Sequence, residues 1–157
     1  MDEPLTLRLI LPQDAPAAAA LVRRGLLEIN RRDYPPEALA VWAAYYTPAE
    51  ILRIAAAGRF YLAFRGETAV GTGAVAPEAE NACMLRTVFV LPEELGRGVG
   101  RRMVETLERD PKFRRCDPIL AHSSKTARGF YEALGYRHCG GTPHLVDDDY
   151  YPMEKRR

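Results

Sequence analysis

Residues Val88–Arg102 read "VFVLPEELGRGVGRR". An apolar run closes on Pro92. Gly96, Gly98 and Gly100 then alternate with Arg97 and Val99, and Val99, Met103 and Leu107 recur at helical spacing beyond them. The stretch therefore reads as strand, glycine turn and helix start. The first turn of a helix has unpaired backbone N–H groups and the positive end of the helix dipole. Glycines let several of those N–H groups converge on one anion and, lacking a Cβ, admit it closely. Arg97, Arg101 and Arg102 add positive charge, and residues 96–115 hold seven basic side chains against three acidic ones. The segment suits a compact polyanion such as a pyrophosphate. The formal net charge of the whole chain is only +1, so no global field favours nucleic acid or an anionic membrane.

Two familiar nucleotide motifs fit poorly. A P-loop requires Lys followed by Ser or Thr after its last glycine, and Gly100 is followed by Arg101 and Arg102. A dinucleotide fingerprint requires GxGxxG in a parallel βαβ unit with an acidic residue closing the next strand. Here the spacing is GxGxG and the next apolar run, "PILAH" (Pro118–His122), ends in histidine. A tight strand-to-helix turn without a ligand is the plain alternative.

Working outward, "LTLRLIL" (Leu5–Leu11) alternates as a strand and Asp14 is placed to cap a helix carrying Ala18, Leu21, Val22, Gly25, Leu26 and Ile29 on one face. A second helix starts near Pro36, and "TPAE" (Thr47–Glu50) is a capping box for a third. "RFYLAFR" (Arg59–Arg65), "TAVGTGAVAP" (Thr68–Pro77) and "ACMLRTVFVL" (Ala82–Leu91) form a meander of antiparallel strands. Gly71 and Gly73 would weaken their strand unless a backbone or ligand approaches closely. After the glycine-started helix come "PILAH", a helix over Ser124–Gly135 and two strands near Tyr136–Gly140 and Tyr150–Lys155. The order is β-α-α-α-β-β-β-α-β-α-β-β, a mixed α/β fold with helices flanking a mostly antiparallel central sheet. At 157 residues the chain suits one domain, residues 1–157, with a single core. No apolar run approaches the roughly 20 residues of a membrane helix, and "MDEPLTLRLILP" lacks the basic start of a secretion signal. Three widely spaced cysteines, Cys83, Cys116 and Cys139, read as free thiols in a reducing cytoplasm, and no metal-ligand spacing stands out.

The surroundings of the glycine segment decide among its readings. "VFVLPEELGRGVGRRMVETLE" (Val88–Glu108) resembles the acyl-CoA-binding motif of the GCN5-related N-acetyltransferases, and "SSKTARGFYEALGYR" (Ser123–Arg137) resembles their second signature. The closing "YYPMEK" (Tyr150–Lys155) is similar to their last strand. The resemblance implies the acyl-CoA N-acyltransferase fold and transfer of an acetyl group from acetyl-CoA to a primary amine in a ternary complex. It implies a cofactor site at Val88, Phe89, Val90, Leu95, Gly96, Arg97, Gly98, Val99, Gly100, Arg101, Arg102, Ser123 and Phe130. Main-chain amides between Leu95 and Arg101 would grip the diphosphate, and an amide at Val88 or Phe89 would polarise the thioester carbonyl. Leu95 stands where the family usually has Arg or Gln. A non-catalytic acyl-CoA-binding or sensing module is the alternative function.

By the same resemblance Tyr131 is the acid that protonates the departing thiolate, although helical spacing alone makes it a core residue. Ser124 is the natural cap of its helix. Glu80, His122, Asp147–Asp149 and a water chain all stand as candidates for the base. Tyr34, Trp42, Tyr45 and Tyr46 lie where the family keeps its variable acceptor-binding helices; helix packing is the other reading of these rings. A small-molecule or peptide amine is the expected acceptor, and the terminal strands offer an edge for a homodimer.

Overall fold

The computed structural model describes residues 3–157; residues 1 and 2 of the expected 1–157 domain lie outside the described residues. One seven-stranded sheet organises the chain, in the order β1-β2-β3-β4-β5-β7-β6. Its strands are β1 (Leu5–Leu9), β2 (Arg59–Arg65), β3 (Thr68–Pro77), β4 (Cys83–Val90), β5 (Ile119–Ser124), β6 (Arg137–His138) and β7 (Tyr150–Lys155). Every pairing is antiparallel except β4 with β5. The helices are α1 (Ala15–Arg24), α2 (Pro36–Tyr45), α3 (Pro48–Ala56), α4 (Val99–Glu108) and α5 (Arg128–Ala133). The expected order of elements is thus the observed one.

Local chemistry explains most boundaries. Thr47 caps α3 by accepting the Glu50 N–H at 3.1 Å, one half of the expected capping box; the Glu50 carboxylate turns to Arg53 and Tyr45 instead, and the Thr47 N–H donates to the Tyr45 carbonyl. Asp14 precedes α1 but does not cap it with its side chain. Its carboxylate is instead held by Arg8 at 2.7 Å and by the Leu11 N–H at 2.8 Å, and the ion pair with Arg8 outcompetes the cap. α5 is shorter than its apolar pattern suggests, because the Ser124 hydroxyl accepts the Ala127 N–H at 3.0 Å and holds the preceding residues in a turn. α1 runs on into a π-helical turn at Gly25–Ile29. A Cβ on Gly25 would stand 2.8 Å from the Phe89 ring, so glycine lets this turn lie against β4.

The core divides into two clusters on the faces of the sheet. One joins α1 and α3 to Phe60, Leu62 and Ala74. The other joins α4, through Val99, Met103, Val104 and Leu107, to Val75, Leu85, Ile119 and Met153. Each of these four α4 side chains contributes roughly 1.5–3 kcal/mol by leaving water. The strand glycines are explained by this helix. A Cβ on Gly71 would meet Val99 at 2.8 Å, and one on Gly73 would meet Met103 at 2.6 Å. The close neighbour is a helix rather than a ligand.

The free-thiol expectation holds only for Cys139. Cys83 and Cys116 are joined by a disulfide, with Cα atoms 5.8 Å apart, because β4 and the segment leading into β5 run side by side there. Among the described residues no helix is long and apolar enough to cross a membrane.

Two outcomes test this packing. Gly73→Val should destabilise the fold by about 1–3 kcal/mol through overpacking against Met103, read as a lower urea midpoint with unchanged slope. The second concerns Asp110, whose buried carboxylate accepts from Arg59 at 2.9 Å, from the Tyr61 hydroxyl and from the Lys112 N–H at 2.8 Å. Burial pushes its pKa up, but these donors outweigh burial and leave it below its usual value. Its stabilising contribution is then present above the unfolded pKa of about 4 and is lost as pH falls through the lower folded value. Denaturant titrations of Asp110→Asn should show a deficit that is constant above about pH 5 and closes in acid.

Candidate active site

β4 and β5 pair only at Cys83–Ile119, Met84–Leu120 and Leu85–Ala121. Beyond these positions β4 continues beside β3 to Val90, and β5 continues beside β7 to Ser124. The sheet therefore opens between its fourth and fifth strands. A cavity of about 1000 Å³ occupies the opening and continues past the start of α4 at one end and towards α2 at the other.

β4 is irregular at this opening. Its register against β3 changes between Thr72–Phe89 and Ala74–Arg86, so Thr87 and Val88 together face Gly73. This is a β-bulge, and Thr87 has φ 55°. The Thr72 hydroxyl donates to the Thr87 carbonyl at 2.7 Å and fixes the distortion. Val88, Phe89 and Val90 all line the cavity.

The glycine turn forms the far wall. Gly96 and Gly98 have φ 77° and 85°, a backbone conformation that favours glycine. Nothing lies within 4 Å of a Cβ built on either residue, so the space beside them is open. Among the described residues, the amides of Gly96, Gly98, Val99, Gly100 and Arg101 donate to no protein acceptor, the last three standing in the first turn of α4. Not every amide from Leu95 to Arg101 is available, however. Those of Leu95 and Arg97 donate to the carbonyls of Pro92 and Glu94, at 3.3 and 3.2 Å, because a short 3₁₀ turn precedes the glycines.

The structure sorts the other expected cofactor residues. Leu95, Val99, Gly100, Arg101 and Phe130 join the cavity wall. A Cβ on Gly100 would come within 2.9 Å of the Phe130 ring, so this glycine permits α5 to meet α4. Arg97 lies outside the wall and bonds the buried Glu94 carboxylate at 3.1 Å, which also takes Arg65 at 2.9 Å. Arg102 faces a separate small cleft beside Asp110. Ser123 is fully buried, donates to the Ser124 carbonyl at 2.9 Å and lies outside the cavity wall.

Tyr131 borders the cavity from α5, with its ring edge-on to Phe130 and Tyr136. Its hydroxyl bonds to none of the described residues. Burial alone pushes its pKa well above the ordinary phenol value, so the group keeps its proton at neutral pH. Tyr34, Trp42, Tyr45 and Tyr46 come together at the α2 end. Tyr34 packs edge-on to Trp42 with centroids 5.0 Å apart; its hydroxyl donates to the Asp149 carbonyl and accepts the Lys125 N–H at 2.8 Å. Both the aromatic packing and the cavity exposure are thus present in one cluster.

Other wall residues escaped the sequence reading. Arg86 and Glu78 border the opening as an ion pair 4.0 Å apart. Tyr150 borders it too, stacked on His122 with centroids 4.1 Å apart and ring planes 20° apart. Tyr150 and His122 are diagonal neighbours on β7 and β5, whose register pairs His122 with Pro152 and Ser124 with Tyr150, a juxtaposition that only sheet order reveals. Among the described residues no group of three or more His, Cys, Asp and Glu side chains is placed to hold a metal ion.

A sheet parted between two parallel neighbours, with a glycine-started helix aimed into the gap, defines an acyl-CoA N-acyltransferase fold. The chain belongs to the acetyltransferase (GNAT) domain family, whose model matches residues 56–138, just over half of its length. It is 29% identical over 91 residues to an uncharacterized acetyltransferase from the arcA 3′ region of Streptococcus pyogenes, a match covering 58% of this chain and 62% of that protein. The chain therefore spans under two thirds of that relative. The fold is shared with the PaiA N-acetyltransferase from Thermoplasma acidophilum, solved in complex with coenzyme A, at TM-score 0.83 and 18% identity over 98% of this chain and 99% of that one. A GCN5-related N-acetyltransferase from Rhodopseudomonas palustris superposes at TM-score 0.81 with 21% identity, covering 100% and 98% of the two chains.

Proposed function

We propose that this chain, acting as one domain, is an N-acetyltransferase that moves an acetyl group from acetyl-CoA directly onto a primary amine held in the same cleft. The observation that carries this reading is the convergence of the free amides of Gly98–Arg101, the bulge at Thr87–Val88 and the protonated Tyr131 on one cavity. Acetyl-CoA is the cofactor of the family to which the chain belongs, and it supplies an activated acyl thioester. The glycine turn fits its diphosphate: open space beside Gly96 and Gly98 admits phosphate oxygens, and the unpaired amides and dipole of α4 supply donors and positive potential. Arg101 is the arginine of the turn that borders the cavity. Leu95 offers neither a charged side chain nor a free amide, so the glycines and Arg101 carry the contact.

Along the arm of the cleft, β4 has a ladder partner only on its β3 side from Arg86 onward. Its other edge is free to pair with an extended amide-bearing ligand. The bulge re-aims the backbone at Val88, and an amide at Val88 or Phe89 there polarises the thioester carbonyl. Tyr131 gives the departing sulfur a proton, which suits a phenol held neutral by burial. The acceptor amine enters at the α2 end, among Tyr34, Trp42, Tyr45 and Tyr46.

Two variants separate binding from chemistry. Gly98→Val puts a side chain into the open space and strains a left-handed residue by about 1–3 kcal/mol. Calorimetric titration should show acetyl-CoA binding weakened at least tenfold while the protein still melts cooperatively; normal affinity would mean that the turn is not the phosphate cradle. Tyr131→Phe should lower kcat by about 10²-fold with acetyl-CoA affinity changed less than twofold. Thiol release across a panel of amines measures the rate. Saturable acetyl-CoA binding with no amine acetylated would instead point to a non-catalytic acyl-CoA module.

A further inference from the structure

We propose that His122 is the general base of the reaction, the group that takes a proton from the acceptor ammonium before its nitrogen attacks. This rests on the acetyltransferase reading above and adds the residue that makes the nucleophile. Three observations converge on His122. It directly follows Ala121, the last β5 residue paired with β4, and so stands where the sheet parts. Across the gap lies Arg86, next to the bulge at Thr87. Its side chain is exposed to the cavity. Finally, the face of the imidazole lies on Tyr150, at 4.1 Å and 20°, which holds the ring plane while leaving its edge open. Among the described residues neither ring nitrogen has a hydrogen-bond partner, so the lone pair is available.

The other candidates are placed less well. Glu80 and Asp147 lie in turns outside the cavity wall, both with positive φ. Asp148 pairs with Lys125 at 3.4 Å, and Glu78 with Arg86. Asp149 reaches the wall near Tyr34, where its carbonyl accepts that hydroxyl, and carboxylates as a class are weaker bases than imidazole. An imidazole lies closer to both the ammonium and neutral pH. The groups facing His122 are Tyr150 from β7, and Arg86 and Glu78 from β4 and its preceding loop. Burial and then Arg86 lower its pKa, Glu78 opposes them, and the net shift is downward. At neutral pH the ring is therefore an empty proton acceptor.

The step balances simply. One N–H bond of the ammonium breaks, its proton adds to a ring nitrogen of His122, and the electron pair stays on the acceptor nitrogen. That nitrogen bonds to the acetyl carbon as the carbon–sulfur bond breaks. Tyr131 protonates the sulfur and regains the proton shed by the new amide nitrogen, and the imidazolium releases its proton to water. Ammonium and thioester become amide, thiol and one proton.

The chain has three histidines, so the His122 ring resonance is assigned in the free protein by its loss in His122→Gln. Its NMR midpoint should lie below the usual value of about 6.5 and coincide with the acid limb of kcat/KM. Arg86→Gln should move midpoint and limb together to higher pH, and Glu78→Gln should move both to lower pH. His122→Gln should lose about 10²-fold in kcat/KM, lose that limb and bind acetyl-CoA as wild type does. An active wild type with a His122→Gln variant of equal rate and equal limb overturns this proposal alone. So does a limb that ignores both charge variants. A wild type that binds acetyl-CoA and acetylates no amine overturns the acetyltransferase reading, and this inference with it.

Discussion

The parting of β4 from β5 is the constraint on which the rest of the molecule depends. Three paired residues hold the two halves of the sheet in register, and then each strand keeps only its outer neighbour. Backbone donors and acceptors along an open inner edge need partners, and buried ones are rarely left without them. The opening is bordered by rings and aliphatic side chains that the π-helical turn after α1, together with α2 and α5, brings up to it. The same opening gives an extended ligand an unoccupied strand edge. Function and irregularity therefore have one origin.

Keeping the gap open while aiming α4 into it requires close packing behind the gap. Here the glycines divide into two physical kinds. Gly25, Gly71, Gly73 and Gly100 have a neighbour where a Cβ would be, namely Phe89, Val99, Met103 and Phe130. They set how near the flanking elements come. Gly96 and Gly98 have no neighbour there, but have positive φ. They set the direction of the chain and leave space on the cavity side. The glycine end of the cleft thus needs both kinds: one to seat the helix on β3, the other to expose its first amides.

This division also explains what could be read in advance. The glycine turn, the buried stripe Val99–Met103–Leu107 and Tyr131 lie within contiguous motifs, so their placement was legible in the sequence. The strand glycines signalled a close approach, but spacing could not say whether helix or ligand made it. The bulge at Thr87 left no signal, since it arises from register against β3. Likewise, Arg97 bonds the buried Glu94 carboxylate, which also takes Arg65 from β2, a meeting of distant residues that local spacing does not show. The Cys83–Cys116 bond was hidden because a separation of 33 residues in an unpatterned set carries no pairing information. At the α2 end of the cavity almost everything is non-local: the Tyr34 hydroxyl ties the start of α2 to the β5–α5 turn and to the segment before β7.

One physical effect prepares both ends of the proposed proton path. Removing an ionisable group from water penalises whichever of its forms is charged. For the Tyr131 phenol that form is the phenolate, so burial makes it keep its proton. For the His122 imidazole it is the cation, so burial makes it give its proton up, and Arg86 pushes the same way. The loaded donor and the empty acceptor of the proposed mechanism thus owe their states first to burial, with Arg86 and Glu78 adjusting the acceptor. In the proposed reaction a charged ammonium becomes a neutral amide, and both proposed proton carriers start neutral. The sheet opening proposed to admit the ligand is thus also the feature that sets the protonation states of the groups beside it.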